Sequence, residues 1–160
     1  MEPSFVIDTH ALPEGIGAWT FPVPPEWCAH HLAAGGVEPT DAPGTVEVEV
    51  TKTGDGYLVR GRVRVFLTGT CVRCLGPTPI SVDAKFDALY VHGIVDATPR
   101  KAREADEDGF EAVAEEPDVE HFQGYEIGID AYVRDTILLE VPMNPRCPVP
   151  CPLGSPGSPC

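Results

Sequence analysis

Apolar and polar residues alternate most cleanly in the middle of the chain. Across residues 45–51, Val46, Val48 and Val50 are separated by Glu47 and Glu49, the period of two expected of a strand with one buried face. Thr53-Gly54-Asp55-Gly56 is a turn signature, and residues 57–68 alternate again, so the two segments predict a β-hairpin. In its second strand Tyr57, Val59, Val63 and Val65 share a face with Gly61, while Arg60, Arg62 and Arg64 share the other. Leu75-Gly76-Pro77 turns the chain, and Ile80, Val82, Ala84, Phe86, Ala88 and Tyr90 keep step through a third strand over residues 80–91. An antiparallel meander is the expectation.

The flanks are less regular. Residues 5–8 predict a short first strand, and 15–25 a loop anchored by Trp19 and Phe21. Pro25 opens a short helix reaching Leu32, which Gly35-Gly36 ends. Residues 98–120 are acidic, poor in large apolar groups and broken by Pro99, Gly109 and Pro117, which predicts a flexible loop unable to offset its ordering entropy. Residues 125–129 suggest a further short strand. Asp130 is the expected N-cap of a helix over residues 131–140, with Val133, Ile137 and Leu138, together with Thr136, on one face and Pro142 as its stop. The Pro-, Gly- and Ser-rich tail, residues 142–160, has no periodicity. Together these elements predict one α+β domain over residues 1–160, mostly β, in which a C-terminal helix packs on an antiparallel sheet and a cysteine-bound tail follows.

Charge adds a constraint on partners. The formal net charge is −14, which opposes nucleic acid over most of the surface, since RNA binding depends on cations that neutralise phosphates. The excess is concentrated between Glu104 and Glu126, whereas Lys52, Arg60, Arg62, Arg64 and Arg73 face Asp55 alone between residues 52 and 73. The strand arginines fit a phosphate-contacting stripe, or a solvated face neutralised by Glu47 and Glu49 across the hairpin. No exposed aromatic residues interleave with them as in a single-strand RNA platform, which favours action through a protein partner. Five scattered histidines lack metal spacing, and no nucleophile elbow, phosphate loop or dinucleotide fingerprint is present. No run approaches the roughly 18–20 apolar residues of a membrane span, and the first residues lack the marks of a secretory signal, so a cytoplasmic protein with reduced thiols is expected.

Under those conditions the cysteines carry the chemistry. Cys71-Val72-Arg73-Cys74 and Cys147-Pro148-Val149-Pro150-Cys151 are two close pairs about seventy residues apart, and Cys160 ends the chain. Two such pairs are a common way to build a tetrahedral zinc site. Here a structural zinc ion on Cys71, Cys74, Cys147 and Cys151, with Cys160 as substitute, would pin the tail to the sheet. Disulfide or redox chemistry, and unrelated buried thiols, are the alternatives. A redox Cys-x-x-Cys opens a helix, whose dipole activates the thiol, whereas this one follows a strand and precedes Leu-Gly-Pro. Cys28, beside Trp27, fits a small apolar core residue.

Cys71-Val-Arg-Cys74-Leu75-Gly76-Pro77, an acidic insert, Ile127-Gly-Ile-Asp130 leading into Val133-Arg-Asp-Thr-Ile-Leu-Leu-Glu140, and Val141-Pro-Met-Asn-Pro-Arg-Cys147 together resemble the YceD family. Its members are bacterial and plastid large ribosomal RNA subunit accumulation proteins, and the similarity spans roughly residues 60–151. Family tails continue past the position of Cys151 through Gly-Leu-Cys and a further Cys-Gly, whereas this tail reads Pro152-Leu-Gly-Ser-Pro-Gly-Ser-Pro-Cys160, so one expected cysteine is missing. The resemblance implies a non-enzymatic role in 23S rRNA accumulation and large-subunit assembly, with a large-subunit precursor or a ribosomal protein as partner. The competing expectation is a zinc-stabilised adaptor for a basic protein, without an RNA role. The acidic stretch generates a first prediction. Limited proteolysis of the purified chain cuts first between about Arg103 and Glu120, and first cuts within the meander would show that the strands were misread.

Overall fold

The valine alternation builds the centre of a six-stranded sheet. The computed structural model describes residues 4–93 and 119–148. Along the chain these form β1 (Val6–Asp8), β2 (Ile16–Val23), α1 (Pro25–His31), β3 (Glu38–Pro39), β4 (Gly44–Thr53), β5 (Gly56–Thr70), β6 (Pro77–His92), β7 (Val119–Phe122), β8 (Glu126–Gly128) and α2 (Asp130–Glu140). The large sheet has the order β2-β4-β5-β6-β7, with β3 also beside β5, while β1 and β8 make a separate pair. Among the described residues no helix is long and apolar enough to cross a membrane.

The meander β4-β5-β6 matches the sequence pattern and extends it at both ends. Gly54, at φ 53°, leads the two-residue turn between β4 and β5, where a left-handed residue suits the strand twist. β5 and β6 then pair without a break from Gly56↔Val91 to Thr70↔Pro77. One face carries Val46, Val48, Val50, Val59, Val63, Val65, Leu67, Val82, Phe86 and Tyr90 into the core. Trp27, Cys28 and Leu32 from the α1 region, Val133 and Ile137 from α2, and Phe5, Ile7, Ile127 and Ile129 beside the small sheet close that core from the other side. α2 packs on β6 and β5, as expected of the C-terminal helix. Burial pushes the Cys28 thiol up to about 11, in keeping with its place as an apolar core residue.

Three local expectations are corrected. Residues 15–25 are not a loop: Ile16–Val23 is an edge strand, paired antiparallel to β4 from Ile16↔Thr51 to Val23↔Gly44. An edge tolerates Pro22, whose missing N–H leaves no ladder bond unmade there. Trp19 and Phe21 do anchor it against the core. The sheet is mixed, because β7 runs parallel to β6 from Leu89↔Val119 to His92↔Phe122. The loop expected over 98–120 therefore ends before Val119, and its remaining residues lie outside the described ones. Asp130 is not an N-cap. It is the first helical residue, and Ile129 holds the cap position without a side-chain hydrogen bond. Its carboxylate instead accepts the backbone N–H groups of Ser4 at 2.9 Å and Phe5 at 3.0 Å, and the Trp27 indole N–H at 2.9 Å. One side chain thus joins the N-terminal segment, α1 and α2, and the charge-assisted bonds it accepts are of the stronger kind.

Gly61 sits mid-strand between Val48 and Phe86, and the Phe86 ring fills the space a Cβ would need. A strand glycine is normally unfavourable; here an aromatic neighbour covers it. Gly61→Ala should therefore destabilise the fold by about 1–3 kcal/mol through overpacking. An unchanged urea midpoint would contradict this account of the ring.

Candidate metal centre

The loop from β5 to β6 is six residues, Cys71 to Gly76, closed on itself by two backbone bonds. Cys71 N–H donates to the Gly76 carbonyl at 2.8 Å, and Leu75 N–H donates to the Cys71 carbonyl at 2.9 Å. Leu75 takes φ 59°, the one positive φ of a non-glycine residue among those described. A leucine there is strained by roughly 1–2 kcal/mol, and the closed loop holds it in place.

The chain after α2 returns to this loop. Val72 N–H donates to the Pro145 carbonyl at 3.0 Å, and the Thr78 hydroxyl donates to the Arg146 carbonyl at 3.0 Å. Thr78 is 1% exposed, so its hydroxyl depends on that carbonyl. These bonds set Cys147 beside the loop. The Sγ atoms of Cys71, Cys74 and Cys147 lie within 4.8 Å of one another, and those of Cys74 and Cys147 are 3.7 Å apart. Cys71 is fully buried, Cys147 is 9% exposed, and Cys74 is half-buried. Three of the four expected ligands thus converge from two distant segments. Cys151 and its substitute Cys160 lie outside the described residues.

The sulfurs are electrostatically distinct. Cys71 is drawn down to about 6 because its sulfur accepts backbone N–H groups, first of Cys74, then of Cys147 and Arg73. Donors to the charged form favour it, so of the three sulfurs this one is the most readily ionised. Cys147 is pushed up to about 11, chiefly by burial and then by hydrogen bonds with Cys71 and Cys74. A second negative charge in the same cluster is disfavoured until a cation joins it. Three soft donors of this kind can hold a thiophilic metal ion or, by oxidation of two of them, form a disulfide.

The other candidate residues lie on the sheet face turned away from the core. Arg60, Arg62 and Arg64 are exposed on β5 and are engaged by neighbouring strands. Arg62 makes a two-pronged bond with Asp83 at 2.6 and 2.7 Å, Arg64 pairs with Glu47 at 2.7 Å, and Arg60 with Asp87 at 3.4 Å. The bond from Arg62 holds the Asp83 carboxyl below the usual range. Glu47 does neutralise an arginine across the hairpin, as expected, but Arg60 and Arg62 take their ion-pair carboxylates from β6. Arg73 is exposed on the cysteine loop, away from the stripe.

The family model for the large ribosomal RNA subunit accumulation protein YceD matches residues 59–160. The chain belongs to the YceD family. A Zea mays protein named large ribosomal RNA subunit accumulation protein YCED homolog 1, chloroplastic, is 30% identical over 138 residues, which cover 75% of this chain and 47% of that protein. This chain therefore spans about half the length of that relative. No solved structure matches it. The YceD match takes in the arginine strand, the cysteine loop, α2 and the returning tail, and leaves out β1 to β4 and α1.

Sequence reasoning missed the residues that hold the cysteines in place. Thr78 alternates as a strand residue, and nothing local tells that its hydroxyl meets a carbonyl beyond α2. Asp83 and Asp87 had a usable signal, since carrying the β5–β6 register outward sets them opposite Arg64 and Arg60. Thr78→Val should leave the Arg146 carbonyl without its partner, at a cost of about 1–3 kcal/mol, measured as a lower denaturation midpoint. Thr78→Ser should keep most of the stability, and equal loss in both variants would argue that the methyl group matters instead.

Proposed function

We propose that this YceD-family chain supports accumulation of 23S ribosomal RNA as a non-enzymatic, cytoplasmic accessory of large-subunit assembly. The observation that carries this reading is the family match, which spans residues 59–160, together with the maize relative named for the same role. The charge distribution supports action through a protein. A chain of net charge −14 attracts basic partners and repels phosphate, and the basic segments of a ribosomal protein or a large-subunit precursor complement it. The arginine stripe is already ion-paired, so phosphate must compete with carboxylates, that of Asp83 held by two hydrogen bonds from Arg62. Direct RNA contact is accordingly weak, confined to Arg60, Arg62, Arg64 and Arg73, and secondary to the protein contact. The same ion pairing favours a second reading, an adaptor for a basic protein with no RNA role, which co-sedimentation with large-subunit precursors separates from the first.

The deciding experiment is depletion of the protein followed by quantification of 23S against 16S rRNA. The ratio falls if the reading is right, and an unchanged ratio under complete depletion sinks it. For RNA contact, binding to single-stranded 23S fragments should show a shallow salt dependence, on the order of two to four released counterions at about 0.7 per phosphate. Changing Arg60, Arg62 and Arg64 together to Gln should abolish that binding while barely moving the melting temperature, because exposed ion pairs contribute little. Tight binding that survives the triple change would move the contact surface to the cysteine loop, near Arg73 and Arg146.

A further inference from the structure

We propose that the groove beside the cysteine loop docks a short extended segment of a partner protein, one that carries apolar side chains next to Asp or Glu. The inference goes beyond the ribosomal reading and stands without it. Two adjoining clefts of about 570 and about 530 Å³ share the Gly69–Thr70 end of β5 as their floor. Leu75 lines the first, and Val72, Leu138, Val141, Met143 and Pro145 line the second. Three of these apolar side chains stand in solvent: Val72 is 48% exposed, Leu75 77% and Met143 94%. Scattered single exposures are ordinary, whereas apolar groups gathered along a groove mark a contact surface.

Leu75 is unfavourable twice over in the free chain. Its φ of 59° is one that leucine resists, and its side chain gains little from burial in return. Strain of this kind persists where the surrounding fold imposes it, and it gathers at functional positions. Glycine or asparagine would hold the same turn with less strain, so the leucine serves something other than the turn. The floor suits an extended occupant. β3 pairs with Leu67 and Thr68 alone, so among the described residues Gly69 and Thr70 have a neighbouring strand only on the β6 side. A segment added there gains backbone bonds as well as side-chain contacts. Charge then selects the partner. Val72 and Pro145 are joined by a backbone bond, and the residue after each is an exposed arginine, Arg73 and Arg146. Neither has an ion pair among the described residues, whereas Arg60, Arg62, Arg64 and Arg134 are all paired. Glu38 is the one carboxylate among the described residues lining either cleft. Within about one Debye length, roughly 8 Å, the two arginines outweigh the more distant negative charge, and each can donate paired bonds to a carboxylate. Among the described residues no aromatic ring lines either cleft, so nothing there stacks a base, which favours a peptide over RNA.

The test uses the full chain, purified reduced, and an alternating Val/Glu peptide of about ten residues, with a Val/Lys peptide as its opposite. The acidic peptide should bind and shift the NMR signals of Val72, Leu75 and Met143, and the basic peptide should leave those signals in place. Changing Arg73 and Arg146 together to Glu should abolish the binding. Leu75→Gly should weaken it about tenfold or more without lowering the melting temperature, a pair of results that a structural role for the leucine would not give. Leu75→Asn, which also suits a left-handed residue, should do the same and covers the case in which glycine loosens the loop. Ile16→Ser, at an exposed apolar position outside both clefts, should bind as the wild type does. No binding of the acidic peptide, the result expected if the chain's own residues 149–160 fill the groove, would overturn the proposal. So would unchanged affinity or a lower melting temperature in both Leu75 variants, or a concentration-dependent dimer that buries Val72, Leu75 and Met143. Arg73 also belongs to the weak RNA contact described above, and Leu75 separates the two. An oligouridine that displaces the peptide and needs both arginines but not Leu75 would make this an RNA surface and overturn the peptide assignment.

Discussion

The fifteen-residue ladder between β5 and β6 is the constraint on which the remaining architecture depends. A strand register admits no half measures, since a slip by one residue exchanges the two faces of every residue in it. With Gly56 opposite Val91 and Thr70 opposite Pro77, the valines of β5 enter the core and the arginines leave it. The same register sets Asp83 and Asp87 within reach of those arginines, and it ends where the cysteine loop begins. Core, charged face and the position of the cysteine loop are consequences of one alignment. Gly61 and Phe86 pin it at the middle, because the ring fits only over the residue that lacks a side chain.

Much of this was legible because a strand's period is short and local. Valines and arginines in strict alternation across β4 and β5 can be read without knowing what they face. The cysteine pairs were legible for a different reason: thiol spacing restricts the chemistry before any fold is known. What escaped was long-range. β2 looks like a loop because Gly17, Thr20 and Pro22 interrupt its apolar residues, and it becomes a strand only because β4 offers it a partner. Asp130 follows the local rule for a helix cap, yet three donors from Ser4, Phe5 and Trp27 compete for its carboxylate and win. The backbone N–H groups that draw the Cys71 thiol downward leave no trace in residue identity at all.

The exposed face of the sheet is electrically unlike the chain as a whole. Arg60, Arg62, Arg64 and Lys85 stand among Glu47, Glu49, Asp83 and Asp87, equal numbers of each sign on adjacent strands. The charges are interleaved at short range, so their fields cancel within about one Debye length, roughly 8 Å at physiological salt. A partner approaching this face meets neither the attraction of a basic stripe nor the repulsion of the net charge. Long-range steering is left to the acidic remainder of the molecule.

The small sheet has a consequence in time. Val6 pairs with Gly128 and Ser4 binds Asp130, so the first strand waits for residues more than a hundred positions later. At a synthesis rate of about 5–20 residues per second, Val6 leaves the ribosome roughly 6–24 s before its partner. Phe5 and Ile7, both almost wholly buried in the finished fold, have no native neighbours in the small sheet during that interval. Contacts of such sequence separation close slowly even after release. The small sheet can therefore pair only after the meander has been synthesised.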